Sequence, residues 1–326
     1  MTNSNAAGPD RVTALAFGGV VLFGGLNAIA VRQTVLELNP LWGAALRFVA
    51  AGLIFGALTV LRGRAFPTGR SLSGAVLYGT VGFALAFGLI YPALRVVQAG
   101  TASVVIAMSP LATYGLAVLQ RQERFQSRAV VGALIALAGI GIVFVEQLGA
   151  SVPIGPLALV FVGMLGLSEA GLIAKWMPRA DPLATNAVAM TVAGIELLAA
   201  SLVLGETQSI PVRASTWMAL GYITVFGSVV MFGLYLVGLS RWTASGMSYS
   251  TLMLPFVSVT VATLLTGEAF SIAFVIGGLV MLVGVYLGAF GVRRPRRSSA
   301  TSMPECLPVA DCPDATPLRM VPADPG

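Results

Sequence analysis

The sequence predicts an all-α integral membrane protein: ten transmembrane helices, arranged as two inverted five-helix repeats around a central cavity. Three observations carry that expectation. Hydrophobic residues make up 57% of the 326-residue chain and charged residues only 10%, against about a quarter charged in a soluble domain. Polar breaks divide the apolar sequence into ten runs of membrane-crossing length. The second half then repeats the first at a nearly constant offset.

A helix needs about 20 apolar residues to cross a bilayer. The runs are 12–31, 41–61, 72–94, 99–119, 127–146, 155–176, 183–204, 215–240, 244–266 and 270–291. Turn and end signals separate them, among them "ELNP", "RGRAFPTGR", "QRQERFQSR", "SVPIGP", "PRADP" and "TQSIPVR". The first run ends in "AIA" (28–30), which mimics a signal-peptidase site. The run is long for a signal and has a counterpart later in the chain, which favours an uncleaved first span. Residues 1–11 read as a cytoplasmic N-terminal segment. Residues 292–326 begin with "RRPRR" and are then rich in Pro, Ser, Thr and acids. Such a tail buries too little apolar surface to order itself, so it is expected to be disordered and cytoplasmic.

Orientation follows from the basic residues. With a cytoplasmic N-terminus, fourteen Lys and Arg fall in the inner segments, against Arg32, Arg95 and Arg213 outside. The positive-inside rule then places both termini in the cytoplasm.

The repeat is most legible in "MSPLATYGLAVLQRQERF" (108–125) and "MLPFVSVTVATLLTGEAF" (253–270). Aligned without a gap they share Met108/Met253, Pro110/Pro255, Ala117/Ala262, Leu119/Leu264, Glu123/Glu268 and Phe125/Phe270. The offset of 145 also pairs Phe87 with Phe232, Gly132 with Gly277 and Gly139 with Gly284. Earlier in each half an offset of 142 pairs "NPL" (39–41) with "DPL" (181–183) and "VAAG" (49–52) with "TVAG" (191–194). The halves are 12–147 and 155–291. Five spans is an odd number, so the second half must enter the membrane from the opposite face. Inverted repeats of this kind are an architecture of secondary transporters.

The ten spans in two halves, the small-residue openings "QAGTAS" and "TASGMS", Pro110 and Pro255, and the series Glu123–Gly132–Gly139 and Glu268–Gly277–Gly284 resemble the EamA family of the drug/metabolite transporter superfamily over about 12–291. The resemblance implies a basket of ten helices around a central cavity, and export of amino acids or other small metabolites across the bacterial plasma membrane.

Several chemistries are excluded by composition. The chain has no His, and its two cysteines, Cys306 and Cys312, both lie in the tail. Ser-His-Asp hydrolysis, His- or thiolate-held metal and histidine proton relays are therefore absent from the apolar body. The basic residues sit in short clusters between apolar runs, so the pI of 9.8 does not indicate nucleic-acid binding. No cofactor is expected and the chain does not read as an enzyme. No phosphate-binding Gly-Lys loop is present, so transport would draw on a gradient. The alternative is a non-transporting membrane scaffold or lipid-handling protein, which would lack a hydrated cavity.

An ionisable residue inside a span costs about 2.5–3.5 kcal/mol on insertion scales, so each is a functional candidate. Arg47 lies six residues into span 2 and suits a substrate carboxylate, or else snorkels or caps carbonyls. Glu169 in span 6 aligns with Asn27 in span 1; the pair would flank the cavity from opposite walls, and Glu169 is a candidate proton carrier. Glu196 in span 7 aligns with an apolar residue, Ile54. Tyr91 and Tyr249 are candidates for stacking or hydrogen bonding to a ligand. Pro110 and Pro255 are expected to bend their helices at the cavity, freeing carbonyls. Glu123 and Glu268 read as helix-end caps on opposite membrane faces. The glycines of spans 5 and 10 read as packing surface. Lys175 and Glu146 read as snorkelling, and Trp42, Trp176, Trp217 and Trp242 as interfacial anchors. Expected partners are the lipid bilayer, a small-molecule metabolite and a coupled proton.

Overall fold

The computed structural model of the chain describes residues 10–97, 102, 105–143, 154–266 and 272–290. Glu146, Glu268, the residues before Asp10 and the tail lie outside these. The described residues fold into ten helical spans with no strand among them. These are α1 (Arg11–Val35), α2 (Pro40–Leu61), α3 (Gly69–Ala93), α4 (Ser109–Leu119), α5 (Ser127–Val143), α6 (Ile154–Trp176), α7 (Pro182–Val203), α8 (Ala214–Arg241), α9 (Ala244–Ser248 and Ser250–Thr266) and α10 (Ile272–Val285, continued by Tyr286–Phe290). Six of them, α1, α2, α3, α6, α7 and α8, are long and apolar enough to cross a membrane. The protein is a multi-pass membrane protein.

Local chemistry sets the ends. Proline takes the first helical position of α2 and of α7, where its missing N–H costs nothing. Asp181 caps α7 by accepting from Leu183 N at 2.9 Å, and Asp10 caps α1 by accepting from Thr13 N at 2.9 Å. Gly63 and Gly205, 142 residues apart, follow α2 and α7 with φ of +60° and +70°. The next N–H reaches back in each case, Arg64 to Thr59 O and Glu206 to Ser201 O, both at 2.9 Å. Such a stop needs a left-handed residue, which glycine supplies.

The interiors hold breaks that the apolar pattern does not show. Leu26 interrupts α1, and the helix resumes at Asn27 and runs to Val35, beyond the expected end at 31. Val31 and Val35 are buried, and this second piece packs on the start of α8, so burial extends the helix. Wider π-helical turns occupy Thr80–Leu85 of α3 and Val225–Val230 of α8. Both begin at the 145 offset. Pro110 lies in the first turn of α4, directly after a turn at Ala107 and Met108 that separates it from helical residues 105–106, and a proline fits there because no N–H bond is made. Pro255 lies inside its helix.

Close pairs hold the bundle together: α2 with α7, α5 with α10, α1 with α8, and α3 with α6. Glycine sets their spacing. A Cβ on Gly52 would lie 2.8 Å from Thr191 N, and one on Gly194 would lie 2.7 Å from Val49 N. Between α5 and α10, a Cβ on Gly132 would lie 2.4 Å from Gly288 N and one on Gly139 2.5 Å from Met281 N. Where helices meet in lipid, small residues allow this approach.

Candidate functional site

A cavity of about 180 Å³ lies within the bundle. This is room for far more than one water. Its wall comes from α1, α3 and α4 with the stretch before it, and from α6, α8 and α9. It is mainly apolar, with Phe83, Phe87, Met231, Phe232 and Leu254 prominent. Hydroxyls interrupt it: Tyr78, Tyr91 and Tyr235, with Ser109, Thr113, Ser248, Ser250 and Thr251. Asn27 contributes an amide. The lining residues include no Asp, Glu, Lys or Arg.

One charge stands directly behind this wall. Arg47 is fully buried in α2. Its Nε donates to Ser228 Oγ at 2.7 Å, its Nη1 to Tyr91 Oη at 3.0 Å and its Nη2 to the Gly227 carbonyl at 2.8 Å. The guanidinium also lies 5.0 Å and 5.2 Å from the ring centres of Phe48 and Phe87. All three hydrogen-bond partners are neutral. Ser228 is oriented for its role, since its hydroxyl donates to Ile223 O at 2.9 Å while accepting from Nε. Burying such an ion costs several kcal/mol. Hydrogen bonds to a charged group return about 1.5–3 kcal/mol each, and desolvated cation–π contacts up to about 2.

The π-helical turn of α8 builds this pole. Gly227 and Ser228 both lie in it. A Cβ on Gly227 would meet Asn27 Oδ1 at 2.4 Å and would lie 3.6 Å from Arg47 Nη2. Glycine there lets the Asn27 amide and the guanidinium crowd the same stretch of backbone. Asn27 Oδ1 is buried and has no hydrogen-bond partner. Because Tyr91 Oη accepts from Arg47, its own proton is free to point elsewhere.

The structure thus gathers Asn27, Arg47 and Tyr91 around one end of the cavity, and Pro255 lines it. It does not gather the other candidates. Glu169 turns away from the cavity, and both its oxygens accept from Gln120 Nε2, at 2.9 and 2.7 Å. Glu196 accepts from Thr80 Oγ1 at 2.7 Å, and its Oε2 is buried without a partner. Tyr249 donates to Ala129 O at 2.7 Å, tying α9 to α5, in space left by Gly288. Pro110 is buried outside the lining. None of these five distances or placements follows from spacing alone, since each depends on which way a side chain leaves its helix. Residues that the sequence did not mark are Gly227, Ser228, Tyr78 and Tyr235, and Phe87 was marked only as a repeat position. The 145 offset that aligns Gly82 with Gly227 was the available signal for the first of these.

Away from the cavity, carboxylates and one amine close helix ends. Glu206 accepts from the backbone of Leu41 at 3.3 Å and Trp42 at 2.9 Å, capping α2. Glu37 holds the start of α8 through Val212 N, Arg213 N and Thr216 Oγ1, and these bonds keep its carboxyl below the usual range. Glu123 caps a helix other than the one it precedes: it accepts from Ser245 N at 3.2 Å, in the first turn of α9. Burial raises its carboxyl above the ordinary value. Lys175 does not snorkel outward, because carbonyls of Leu239 and Trp242 at the end of α8 take its ammonium, at 2.8 and 2.5 Å. Trp242 is buried against Phe17 and anchors no interface.

Known proteins resemble this chain along most of its length. The E. coli K12 protein named uncharacterized inner membrane transporter YedA is 28% identical over 262 residues, covering 77% of this chain and 84% of that protein. A WAT1-related chloroplastic protein of Arabidopsis thaliana is 26% identical, covering 82% of this chain and 67% of its own length. A probable amino-acid metabolite efflux pump of Salmonella typhimurium is 25% identical, covering 86% and 96%. A solved crystal structure superposes with a TM-score of 0.73 over 86% of this chain and 98% of its own, at 19% identity, so the fold is shared. The EamA-like transporter family matches residues 12–145 and again 155–289. An apolar ten-span body, a hydroxyl-studded central cavity and this double match together establish that the chain belongs to the EamA-like transporter family.

Proposed function

We propose that the protein is a secondary transporter of the bacterial inner membrane that moves a small metabolite outward by alternating access. Its two five-helix halves, 12–147 and 155–291, would be inverted copies with both termini in the cytoplasm. One observation carries the reading: the cavity wall is drawn from the first, third and fourth spans of each half. The second and fifth spans of each half pair outside it, α2 on α7 and α5 on α10. Exchanging the halves leaves this pattern unchanged. Two packings of similar energy, one open to each side, follow from such an arrangement. The relative named as an amino-acid metabolite efflux pump makes outward flow of a small metabolite the direction to test first.

The reading requires no proton site in the wall. Glu169, the carboxylate the sequence marks for a proton, accepts from Gln120 outside the cavity lining.

The test uses a chain freed of cysteine by Cys306→Ser and Cys312→Ser, with single cysteines at Leu94 and at Ser248. Both residues line the cavity, and the charge-derived topology places them toward opposite faces. A membrane-impermeant maleimide is added to right-side-out and to inside-out vesicles. Alternating access expects each cysteine to react from one face only, with substrate moving the two reactivities in opposite directions. A centre unreactive from both faces, or both cysteines labelled together from one face, refutes the proposal.

A further inference from the structure

We infer that the cavity selects small organic anions with an apolar or aromatic body over neutral, cationic or zwitterionic molecules of the same shape, and that Arg47 sets this preference. The inference rests on the transport reading above and specifies its substrate.

Arg47 is buried, its three hydrogen-bond partners are neutral, and it makes no ion pair. The ion pairs among the described residues are Arg64 with Asp181 and Arg241 with Asp10. The close contacts of Gly52 with Thr191 and Gly194 with Val49 put Glu196 at about the level of Arg47. Glu196, however, turns to Thr80 on α3. The guanidinium is therefore left without a directly bound counterion in a low-dielectric interior.

Tyr91 and Phe87, both in contact with the guanidinium, belong to the cavity wall, as does Asn27 on the far side of Gly227. Tyr91 accepts from Arg47, so its hydroxyl proton is available to a ligand's carboxylate, and the cation polarises that bond. The Asn27 Oδ1 atom is buried and has no protein partner. The amide completes the pole with either its oxygen or its N–H₂ toward a ligand. Among the described residues no acidic side chain lines the cavity to balance a ligand ammonium. Phe83, Met231, Phe232 and Leu254 elsewhere in the lining suit an apolar body. At a separation of about 8 Å and an effective dielectric of about 20, the Coulomb attraction of an uncompensated charge favours an anion over a neutral ligand by on the order of thirtyfold, before the anion's own desolvation.

Four ligands sharing one ring and chain test this: 3-phenylpropionate, 3-phenylpropan-1-ol, 3-phenylpropylamine and L-phenylalanine. Binding to the detergent-solubilised full chain is read at pH 7 by intrinsic tryptophan fluorescence and checked by competition in proteoliposome uptake. The expected order is carboxylate tightest, by at least tenfold over the alcohol, then the amino acid and the alcohol, with the amine weakest. Asn27→Asp sets a carboxylate against the guanidinium and is expected to bring the carboxylate and alcohol within about threefold; Arg47→Lys retains the order. Arg47→Gln is expected to abolish the preference for the carboxylate over the alcohol, and if that variant does not fold, the wild-type series and Asn27→Asp still decide. Equal or tighter binding of the alcohol or amine to the wild type overturns the inference and leaves the transport reading standing, as does an anion preference untouched by Asn27→Asp. Failure of all four to bind overturns the inference together with the cavity reading on which it rests.

Discussion

One of the tightest backbone approaches among the described residues offers a quantitative test of what joins the two halves. A Cβ placed on Gly284 of α10 would lie 2.3 Å from Ala136 N, 2.7 Å from Ala136 Cα and 2.6 Å from Gly132 O of α5. Ordinary contact begins at about 3.4 Å, so Gly284→Ala requires the helices to part by about 1 Å. The obstructing atoms are backbone, which cannot swing aside as a side-chain end can. Overpacking of this kind costs about 1–3 kcal/mol. Alanine gains up to about 1 kcal/mol in helix propensity over glycine, so with the full gain the net loss is between about 0 and 2 kcal/mol, against a net gain at a glycine where the new methyl meets nothing. Gly141 of α5 is the control, because a Cβ there meets nothing within 4 Å. Gly141→Ala collects the propensity gain without the clash and is expected to stabilise by up to about 1 kcal/mol.

The assay is reversible unfolding of both variants in mixed micelles, titrated with denaturing detergent and followed by circular dichroism. The two variants share chemistry and differ only in what faces the new methyl group. If Gly284→Ala is as stable as Gly141→Ala, close glycine packing between α5 and α10 does not hold the halves together and the reasoning fails.

Two further outcomes follow from the polar contacts. Burial raises the Glu123 carboxyl above its ordinary 4.5, partly opposed by its bonds from Ser245 and by Lys175. The stability tied to its neutral form is present below that pH and lost as pH rises through the raised value; Glu123→Gln should therefore flatten the melting-temperature profile from about pH 4.5 upward, and parallel profiles would contradict this. Thr80→Val removes the donor to Glu196, a bond to an ionisable group worth about 1.5–3 kcal/mol. The loss should appear in the parent and shrink to near zero in a Glu196→Leu background, so an equal cost in both backgrounds would show that the contact contributes nothing.

How much of this was legible in the sequence depends on the range over which each feature is specified. Some span ends were legible because their signals are local: Pro40 and Pro182 each open a run and Asp181 caps one; the start of α2 is instead capped by Glu206, about 165 residues on. The glycine packing of α5 and α10 was legible because a repeated register in apolar sequence has few other uses. The direction taken by polar side chains was not. Glu169 and Asn27 align in the repeat, yet Asn27 faces the cavity while Glu169 is drawn off by Gln120, a partner 49 residues away. Arg47 was marked by its charge alone; what holds it, Ser228 and Gly227, lies about 180 residues on, in a turn whose π-helical winding has no local signature. The aligned windings at Thr80–Leu85 and Val225–Val230 show why this matters. The first turn aims Thr80 at Glu196 and the second aims Ser228 at Arg47, so one inherited backbone irregularity handles a carboxylate in one half and a guanidinium in the other. Repeats preserve backbone geometry, and function then depends on the residues at which the copies have diverged.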